Sequence, residues 1–189
     1  MEERPLFDEM VWLSPPTTAD IDTIVECCQH PSIGEWVTIP VPYHRGHAER
    51  FVDEFVTRGW AADNPTWALR LRADGPVIGM IALGAVDESA REIGFWLVPE
   101  YRERGLMSRA IALVCAFGFA EDGLALARIG WHAFAGNHAS AAAVRRNGFR
   151  YEGLARLGNM QRGVRRDSWL AARLATDPPD FADDWPPGV

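Results

Sequence analysis

The feature that most constrains the fold is an apolar stretch at residues 105–120 that lies between two strand-like runs. Apolar residues occupy nearly the whole circumference of a helix drawn over this stretch, so that helix must be covered on more than one side. The preceding run, residues 92–98, has apolar side chains on both faces, which is typical of a covered central strand. With the following run, residues 128–134, the pattern predicts a strand-helix-strand crossover with parallel pairing.

The remaining strand-like runs predict an antiparallel meander and a long hairpin. Turn-forming segments separate residues 67–71, 77–85 and 92–98, which favours three strands paired in series. Two further runs, residues 149–160 and 164–174, flank a short turn and read as the arms of a hairpin. A short run at residues 10–13 predicts one more strand.

Helical spacing marks three shorter helices. The first carries the apolar face Ile21, Ile24, Val25 and Cys28, and Thr17 with Asp20 matches a capping box at its start. The second has an apolar stripe at residues 48–56 and is predicted to stop at Gly59, and residues 31–43 between the two helices are predicted to be irregular. The third spans residues 137–147 and is followed by Gly148.

Together these elements predict an α/β (α+β) fold with a mixed, mostly antiparallel central sheet of six or seven strands flanked by helices. The length of 189 residues suits a single domain, which we assign to residues 1–176. Residues 177–189 are rich in Pro and Asp, and we expect them to form a poorly ordered C-terminal tail.

Composition excludes several classes of function. A net charge of -7 argues against a protein that binds duplex nucleic acid and suits a cationic partner better. The longest apolar stretch, residues 110–120, is shorter than the roughly 18 residues that a membrane span needs. No export signal is visible near Met1, and three cysteines without metal-binding spacing favour a reducing compartment, so we expect a cytoplasmic protein without a metal site.

The most informative segment joins the central strand to the apolar helix through a basic turn. Backbone N–H groups and the positive end of a helix dipole converge at such a turn, which makes it a candidate phosphate site, although an ordinary strand-helix connection is the alternative. It lacks the glycine and lysine spacing of nucleotide-hydrolysing loops and of dinucleotide-binding loops. The candidate ligand-binding residues in this segment are Trp96, Leu97, Val98, Arg102, Glu103, Arg104, Gly105, Leu106, Met107 and Ser108.

Four parts of the sequence together resemble the GNAT acetyltransferases, and most closely their RimJ/RimL branch, which acetylates protein N-termini. In chain order they are Ile93-Gly-Phe-Trp-Leu97, Arg102-x-x-Gly105-x-Met107, Asn137-x-x-Ser140 and Asn147-Gly148-Phe149. The resemblance runs from Val11 to about Leu174. The wider family has Gly or Ala at the position of Met107. The segment Gly105-Leu106-Met107-Ser108 resembles instead the Gly-Leu/Ile-Met-Ser/Thr variant of the RimJ/RimL branch.

The resemblance implies acetyl-coenzyme A as cosubstrate. The backbone N–H groups from Arg102 to Ser108 would hold its pyrophosphate, with Arg102 and Arg104 as further phosphate contacts. Leu97 and Val98 would pair with the pantetheine arm, and one of their N–H groups would polarise the thioester carbonyl. Asn137, a candidate helix N-cap, would also contact the pantetheine arm.

Two residues are candidates for moving protons. Many GNATs place a tyrosine where this chain has Val144, so the tyrosine mechanism is absent. Ser140 resembles the serine proposed as acid in the RimL enzymes, which makes it the candidate acid for the leaving thiolate, and a helical serine bonded to its own backbone is the alternative. Glu92 is the candidate base because it is the lone carboxylate on the central strand. A solvated strand end is the alternative for Glu92, and His132 is a second candidate base.

The sequence therefore predicts direct acetyl transfer from acetyl-coenzyme A to a primary amine, foremost a protein N-terminal α-amino group of the ribosomal-protein type. An enzyme for small amines, whether metabolites or antibiotics, and a non-catalytic acyl-coenzyme A binding module are the alternatives. We expect neither nucleic acid nor a membrane as partner. Whether the chain acts as a monomer or a homodimer stays open.

Overall fold

A single eight-stranded sheet organises the chain in the computed structural model, which describes residues 1–189. The strands are β1 (Leu6–Phe7), β2 (Trp12–Ser14), β3 (Thr66–Arg70), β4 (Gly79–Ala85), β5 (Ala90–Leu97), β6 (Arg128–Phe134), β7 (Arg150–Gln161) and β8 (Val164–Leu174). Their order in the sheet is β1-β2-β3-β4-β5-β6-β8-β7. Every neighbouring pair is antiparallel except β5 with β6. The predicted mixed, mostly antiparallel sheet is confirmed.

Six α-helices flank this sheet. They are α1 (Ile21–Cys28), α2 (Pro31–Trp36), α3 (Arg45–Arg50), α4 (Thr57–Ala61), α5 (Leu106–Phe119) and α6 (His138–Arg145). A π-helical segment, Phe51–Val56, makes α3 and α4 continuous, and short 3₁₀ turns lie at Thr18–Asp20 and Pro99–Tyr101. None of these helices combines the length and the apolar character needed to cross a membrane.

Helix α5 is the centre of the core, as its sequence requires. Ala110, Ile111 and Val114 are completely buried, and α5 is the crossover that joins β5 to the parallel strand β6. Cys115 is buried on the same helix, and this burial raises the pKa of its thiol to about 12. Such a thiol is a core residue and a poor nucleophile at neutral pH.

Three local features differ from the sequence analysis. Strand β1 was not predicted, because two residues are too few for a periodic signal. Residues 31–36 form α2 where irregular chain was expected, since Pro31 occupies the first helical turn and His30 accepts a hydrogen bond from the N–H of Ser32. Helix α4 runs past Gly59 to Ala61, because the adjacent Trp60 is buried against Trp67 and that packing outweighs the low helix propensity of glycine.

The segment after Asp177 also differs from the expectation of poor order. Residues 178–189, which we call the C-terminal strap, contain no helix or strand but pack on the domain. Trp185 is only 6% exposed, and its indole N–H donates to the carbonyl of Phe149 at 2.7 Å. The large ring of Trp185 supplies enough apolar surface for this segment to pack on the domain, although the segment is rich in Pro and Asp. The division of the chain at residue 176 stays a prediction.

Candidate active site

The candidate site begins where strands β5 and β6 separate. The two strands pair only at Ala90 with Arg128, Arg91 with Ile129 and Glu92 with Gly130. Beyond these pairs β5 continues to Leu97 and β6 to Phe134 without pairing to each other. A strand edge that has lost its partner carries backbone N–H and C=O groups that need another partner, so this split is a natural binding position.

A cavity of about 1150 Å³ occupies the split and extends to the starts of α5 and α6. It is lined by all of the predicted site residues except Val98 and Arg104. Those that line it are Glu92, Trp96, Leu97, Arg102, Glu103, Gly105, Leu106, Met107, Ser108, Asn137 and Ser140. Arg104 lies on the surface, with its guanidinium carbon 5.3 Å from the centre of the Tyr101 ring.

The hydrogen bonds of β5 distinguish between Leu97 and Val98. The N–H of Val98 donates to the carbonyl of Ile78 at 3.0 Å, so it is already used within the sheet. Because successive N–H groups of a strand point to opposite edges, the N–H of Leu97 faces the split instead. Of the two candidate donors to a thioester carbonyl, only Leu97 is therefore available.

The turn before α5 presents a run of free donors. None of the six backbone N–H groups from Glu103 to Ser108 donates to another group of the protein. The N–H of Arg102 donates to the carbonyl of Pro99 at 3.0 Å, so the predicted donor run begins one residue later than expected. Glu103 and Gly105 have left-handed φ values of 61° and 75°, which turn consecutive N–H groups toward one side. This arrangement suits an anionic phosphate group.

The side chain of Arg102 holds this turn in place. Its Nε donates to the carbonyl of Leu97 at 2.9 Å, and its Nη2 donates to the hydroxyl of Ser32 on α2 at 2.9 Å. Burial lowers the pKa of the guanidinium below its usual value. Arg102 therefore joins the end of β5, the turn and α2, which gives α2 a role that the sequence did not indicate.

Asn147 also joins two parts of the site. Its side-chain amide donates to the hydroxyl of Ser108 at 2.9 Å and to the carbonyl of Ala143 at 2.9 Å. Ser108 lies in the first turn of α5 and Ala143 lies in α6. Asn147 thus joins the start of α5 to the C-terminal half of α6, a role that its position in a sequence motif alone did not reveal.

Ser140 is held at the start of α6 by two neighbours. Asn137 caps the helix, and its Oδ1 accepts from the N–H of Ser140 at 3.2 Å. The hydroxyl of Ser140 accepts from the indole N–H of Trp131 at 3.0 Å and makes no hydrogen bond to its own helix backbone. The Ser140 hydroxyl therefore lies on the cavity wall with its own proton free to be donated.

The two candidate bases contact each other. The Nδ1 atom of His132 lies 2.6 Å from Oε2 of Glu92, and both side chains line the cavity. Glu92 pairs with Gly130, two residues before His132, so strand alternation puts both side chains on one face of the sheet. Trp131, which holds Ser140, points to the other face. Acid and base candidates thus approach the split from opposite sides.

Two glycines leave open space beside Glu92. Gly84 lies opposite Glu92 in the sheet, and Gly94 follows Glu92 by two residues, so their missing side chains would lie on the same face. Neither glycine has a positive φ, and a Cβ at Gly94 would meet no atom within 4 Å. Glycine inside a strand costs stability, and it often marks a close approach by a ligand. We call Gly84 and Gly94 the glycine floor.

Sequence reasoning missed several residues that complete the cavity. Trp131, Asn159, Trp36, Thr38 and Phe55 line it, and the ring of Phe55 is 60% exposed. These residues come from two strands, helix α2, the loop after it and the π-helical segment, and no spacing pattern connects them. No group of three or more His, Cys, Asp or Glu side chains is arranged to hold a metal ion.

Comparison with known proteins identifies relatives. A family model described as Acetyltransferase (GNAT) domain matches residues 11–150, well over half of the chain. YdaF of Bacillus subtilis (strain 168), by its name a candidate ribosomal N-acetyltransferase, is 36% identical over 96 residues. These are 50% of this chain and 51% of YdaF, so the match spans about half the length of that relative.

Solved structures share the fold over nearly the whole chain. The crystal structure of a probable acetyltransferase has a TM-score of 0.79 at 25% identity, and the match covers 91% of this chain and 97% of that one. Mycobacterium smegmatis RimJ, solved in complex with CoA-disulfide, has a TM-score of 0.80 at 21% identity, with 92% and 87% covered. The second likeness concerns the fold alone.

Gly105→Glu should weaken binding of acetyl-coenzyme A while the fold persists. The open space above Gly105 would receive a carboxylate that repels phosphate groups, so we expect the KM for acetyl-coenzyme A to rise by at least about 10-fold. Gly163→Glu is the matched control, because Gly163 has a φ of 81°, equally open surroundings and no position in the cavity. Steady-state kinetics would contradict the assignment if both variants kept the wild-type KM.

Proposed function

The chain belongs to the GNAT acetyltransferase family, and from this premise we propose that it transfers the acetyl group of acetyl-coenzyme A to a primary amine, foremost a protein N-terminal α-amino group. The observation that carries the proposal is the split between β5 and β6. A phosphate-binding turn borders the resulting cavity at one end, and the Glu92–His132 pair borders it on one face of the sheet. One ligand bound in the cavity can therefore contact both the turn before α5 and the Glu92–His132 pair.

The coenzyme is proposed to bind along the split with its pyrophosphate on the turn before α5. Six free N–H groups and the N-terminus of a 14-residue helix supply the positive potential that this group needs. Leu97 N–H, which faces the split, would donate to the thioester carbonyl as negative charge develops there. One such fixed donor contributes about 3 to 4 kcal/mol to the transition state.

Proton transfer is proposed to involve residues on both faces of the sheet. The ammonium of the acceptor loses a proton to the Glu92–His132 pair, and the neutral amine then forms a bond to the acetyl carbon. As the bond from that carbon to sulfur breaks, the Ser140 hydroxyl donates its proton to the thiolate. The attacking nitrogen loses its extra proton to solvent as it becomes an amide, and Ser140 regains a proton from solvent. The products are the N-acetylated acceptor and coenzyme A, and no acyl-enzyme forms.

The charges near the glycine floor support an acceptor without a free carboxylate. The cationic arginines of the cavity wall, Arg102 and Arg146, belong to the phosphate turn and to the end of α6. Beside the glycine floor lies the carboxylate of Glu92, in contact with His132, and this carboxylate would repel the carboxylate of a free amino acid. A peptide N-terminus has an amide at that point instead. The name of YdaF supports an acceptor of the ribosomal-protein type.

A cytoplasmic location is part of the proposal. Cys27, Cys28 and Cys115 are free thiols, which suit a reducing compartment. Newly made ribosomal proteins would be accessible there as acceptors.

Acetyl-coenzyme A at 100 times its dissociation constant should stabilise the fold by about 2.7 kcal/mol. We expect thiol release with peptides that carry a free α-amino group, and little release with free amino acids. A thermal shift without turnover of any amine would instead identify a binding module. Turnover confined to small polyamines or aminoglycosides would contradict the proposed acceptor while leaving the acetyl transfer intact.

Glu92→Gln should slow catalysis most at low pH. The acceptor α-amine has a pKa of about 7.7 to 8.0, so it needs a base at pH 7 and arrives neutral at pH 9. We expect kcat/KM for the peptide to fall by about 100-fold at pH 7 and to recover toward wild type as pH rises. Glu88→Gln, in an exposed turn outside the cavity, is the control. Parallel pH profiles for wild type and Glu92→Gln would exclude Glu92 as part of the base.

Gly94→Val should block the acceptor and spare the coenzyme. Valine suits a strand, so the fold should tolerate it, but its methyl groups would fill the glycine floor. We expect the KM for the peptide to rise by at least about 10-fold, because a misfit of even one methylene group in a binding pocket weakens binding by about that factor. The KM for acetyl-coenzyme A should stay unchanged. Gly46→Val is the control, because Gly46 is exposed on helix α3, has no atom within 4 Å of an added Cβ and has no position in the cavity. Equal peptide KM values in the two variants would rule out the floor as an acceptor subsite.

A further inference from the structure

The hydrogen bond between Trp131 and Ser140 determines what the Ser140 hydroxyl can do. An indole N–H can only donate, so at 3.0 Å it makes the serine oxygen an acceptor. The single hydroxyl proton of Ser140 then has no acceptor within the protein. Serines inside helices commonly donate to a carbonyl of the preceding turn, and this one does not. Trp131 thus leaves the proton available on the cavity side.

Trp131 is itself held from behind by the C-terminal strap. Its side chain is buried, with the residue 3% exposed, and its ring centre lies 5.9 Å from that of Trp185. Trp185 also packs on Tyr151, at 5.5 Å between ring centres, and its indole N–H donates to the carbonyl of Phe149. The ring of Trp131 therefore packs against Trp185, which lies outside the domain predicted for residues 1–176.

The same strap binds the helix that carries Ser140. The N–H of Ala182 donates to the carbonyl of Arg145 at 3.1 Å, and Nε of Arg145 donates back to the carbonyl of Ala182 at 2.7 Å. The guanidinium carbon of Arg145 lies 4.5 Å from the centre of the Phe181 ring. Pro178 passes so close to Gly148, just after α6, that a Cβ there would collide with its carbonyl.

These contacts reach both partners of one hydrogen bond. Through Arg145 the strap fixes α6, which carries the acceptor Ser140, and through Trp185 it fixes the donor Trp131. We propose that Trp131 is a positioning residue for the Ser140 hydroxyl and that residues 178–189 clamp the two together. This inference rests on the proposed role of Ser140 as the acid in acetyl transfer.

The expected consequence is a loss in turnover without a loss in binding. Without the indole N–H, the hydroxyl can rotate or donate to a backbone carbonyl, so fewer molecules hold the proton toward the leaving sulfur. Trp131→Phe should lower kcat by about 3- to 10-fold, the range expected for one neutral hydrogen bond. The KM for acetyl-coenzyme A should stay within about twofold, because that contact matters mainly in the transition state.

A double-mutant cycle separates positioning from general loss of structure. We would measure thiol release for wild type, Trp131→Phe, Ser140→Ala and the double variant, with the best peptide acceptor and, separately, with water as acceptor. If Trp131 acts through Ser140, Trp131→Phe should change kcat by less than about twofold in the Ser140→Ala background. Trp67→Phe is the control, since Trp67 is fully buried and its indole N–H donates to Arg4 far from the cavity.

A variant of the C-terminal strap tests the clamp separately, and it also provides a test if Trp131→Phe fails to fold. Trp185→Ala should lower kcat in the wild-type background and leave it unchanged in the Ser140→Ala background. Wild-type turnover of both tryptophan variants, or equal losses in the two backgrounds, would overturn the inference. If Ser140→Ala itself acetylates peptides at the wild-type rate, the acid role fails and this inference fails with it. A lack of any acetylation by the wild type would instead refute the proposed function.

Discussion

The parting of β5 and β6 is the constraint on which the site depends. A parallel pair needs a crossover helix, and α5 provides it, so the helix N-terminus and the end of β5 lie next to each other. Once the strands separate beyond Glu92 and Gly130, the backbone edge of β5 faces the cavity, not a neighbouring strand. The backbone N–H and C=O groups on this edge of β5 have no partner strand. They can therefore form hydrogen bonds with an extended ligand that has polar groups along one side.

Because side chains alternate along a strand, the candidate site residues lie on both faces of the sheet. Glu92, His132 and the glycine floor lie on one face of the sheet, and Trp131 with Ser140 lies on the other. A thioester held in the split would have the candidate base on one side and the candidate acid on the other. Fixed contacts rather than flexible side chains hold these groups, since Arg102, Asn147 and Trp131 each join two elements around the cavity.

Long periodic segments were predictable, and short or irregular ones were not. Helix α5, the crossover and the hairpin of β7 and β8 follow from apolar spacing over many residues, and the family and fold predicted from the motifs are confirmed. Strand β1 and helix α2 are too short to carry such a signal. The strap was misjudged because Pro and Asp dominate its composition, whereas one buried ring, that of Trp185, decides where it lies.

The sequence by itself determined the central strand, the apolar helix, the glycine turn between them and the residue types that can bind phosphate or carry protons. Those properties are local, because periodicity, capping and turn chemistry act over a few residues. Only the tertiary structure decided which N–H of β5 is free, that His132 meets Glu92, and that Trp131 and a distant strap hold Ser140. Most of these outcomes depend on contacts between residues far apart in the sequence, and the packing of the whole sheet fixes them.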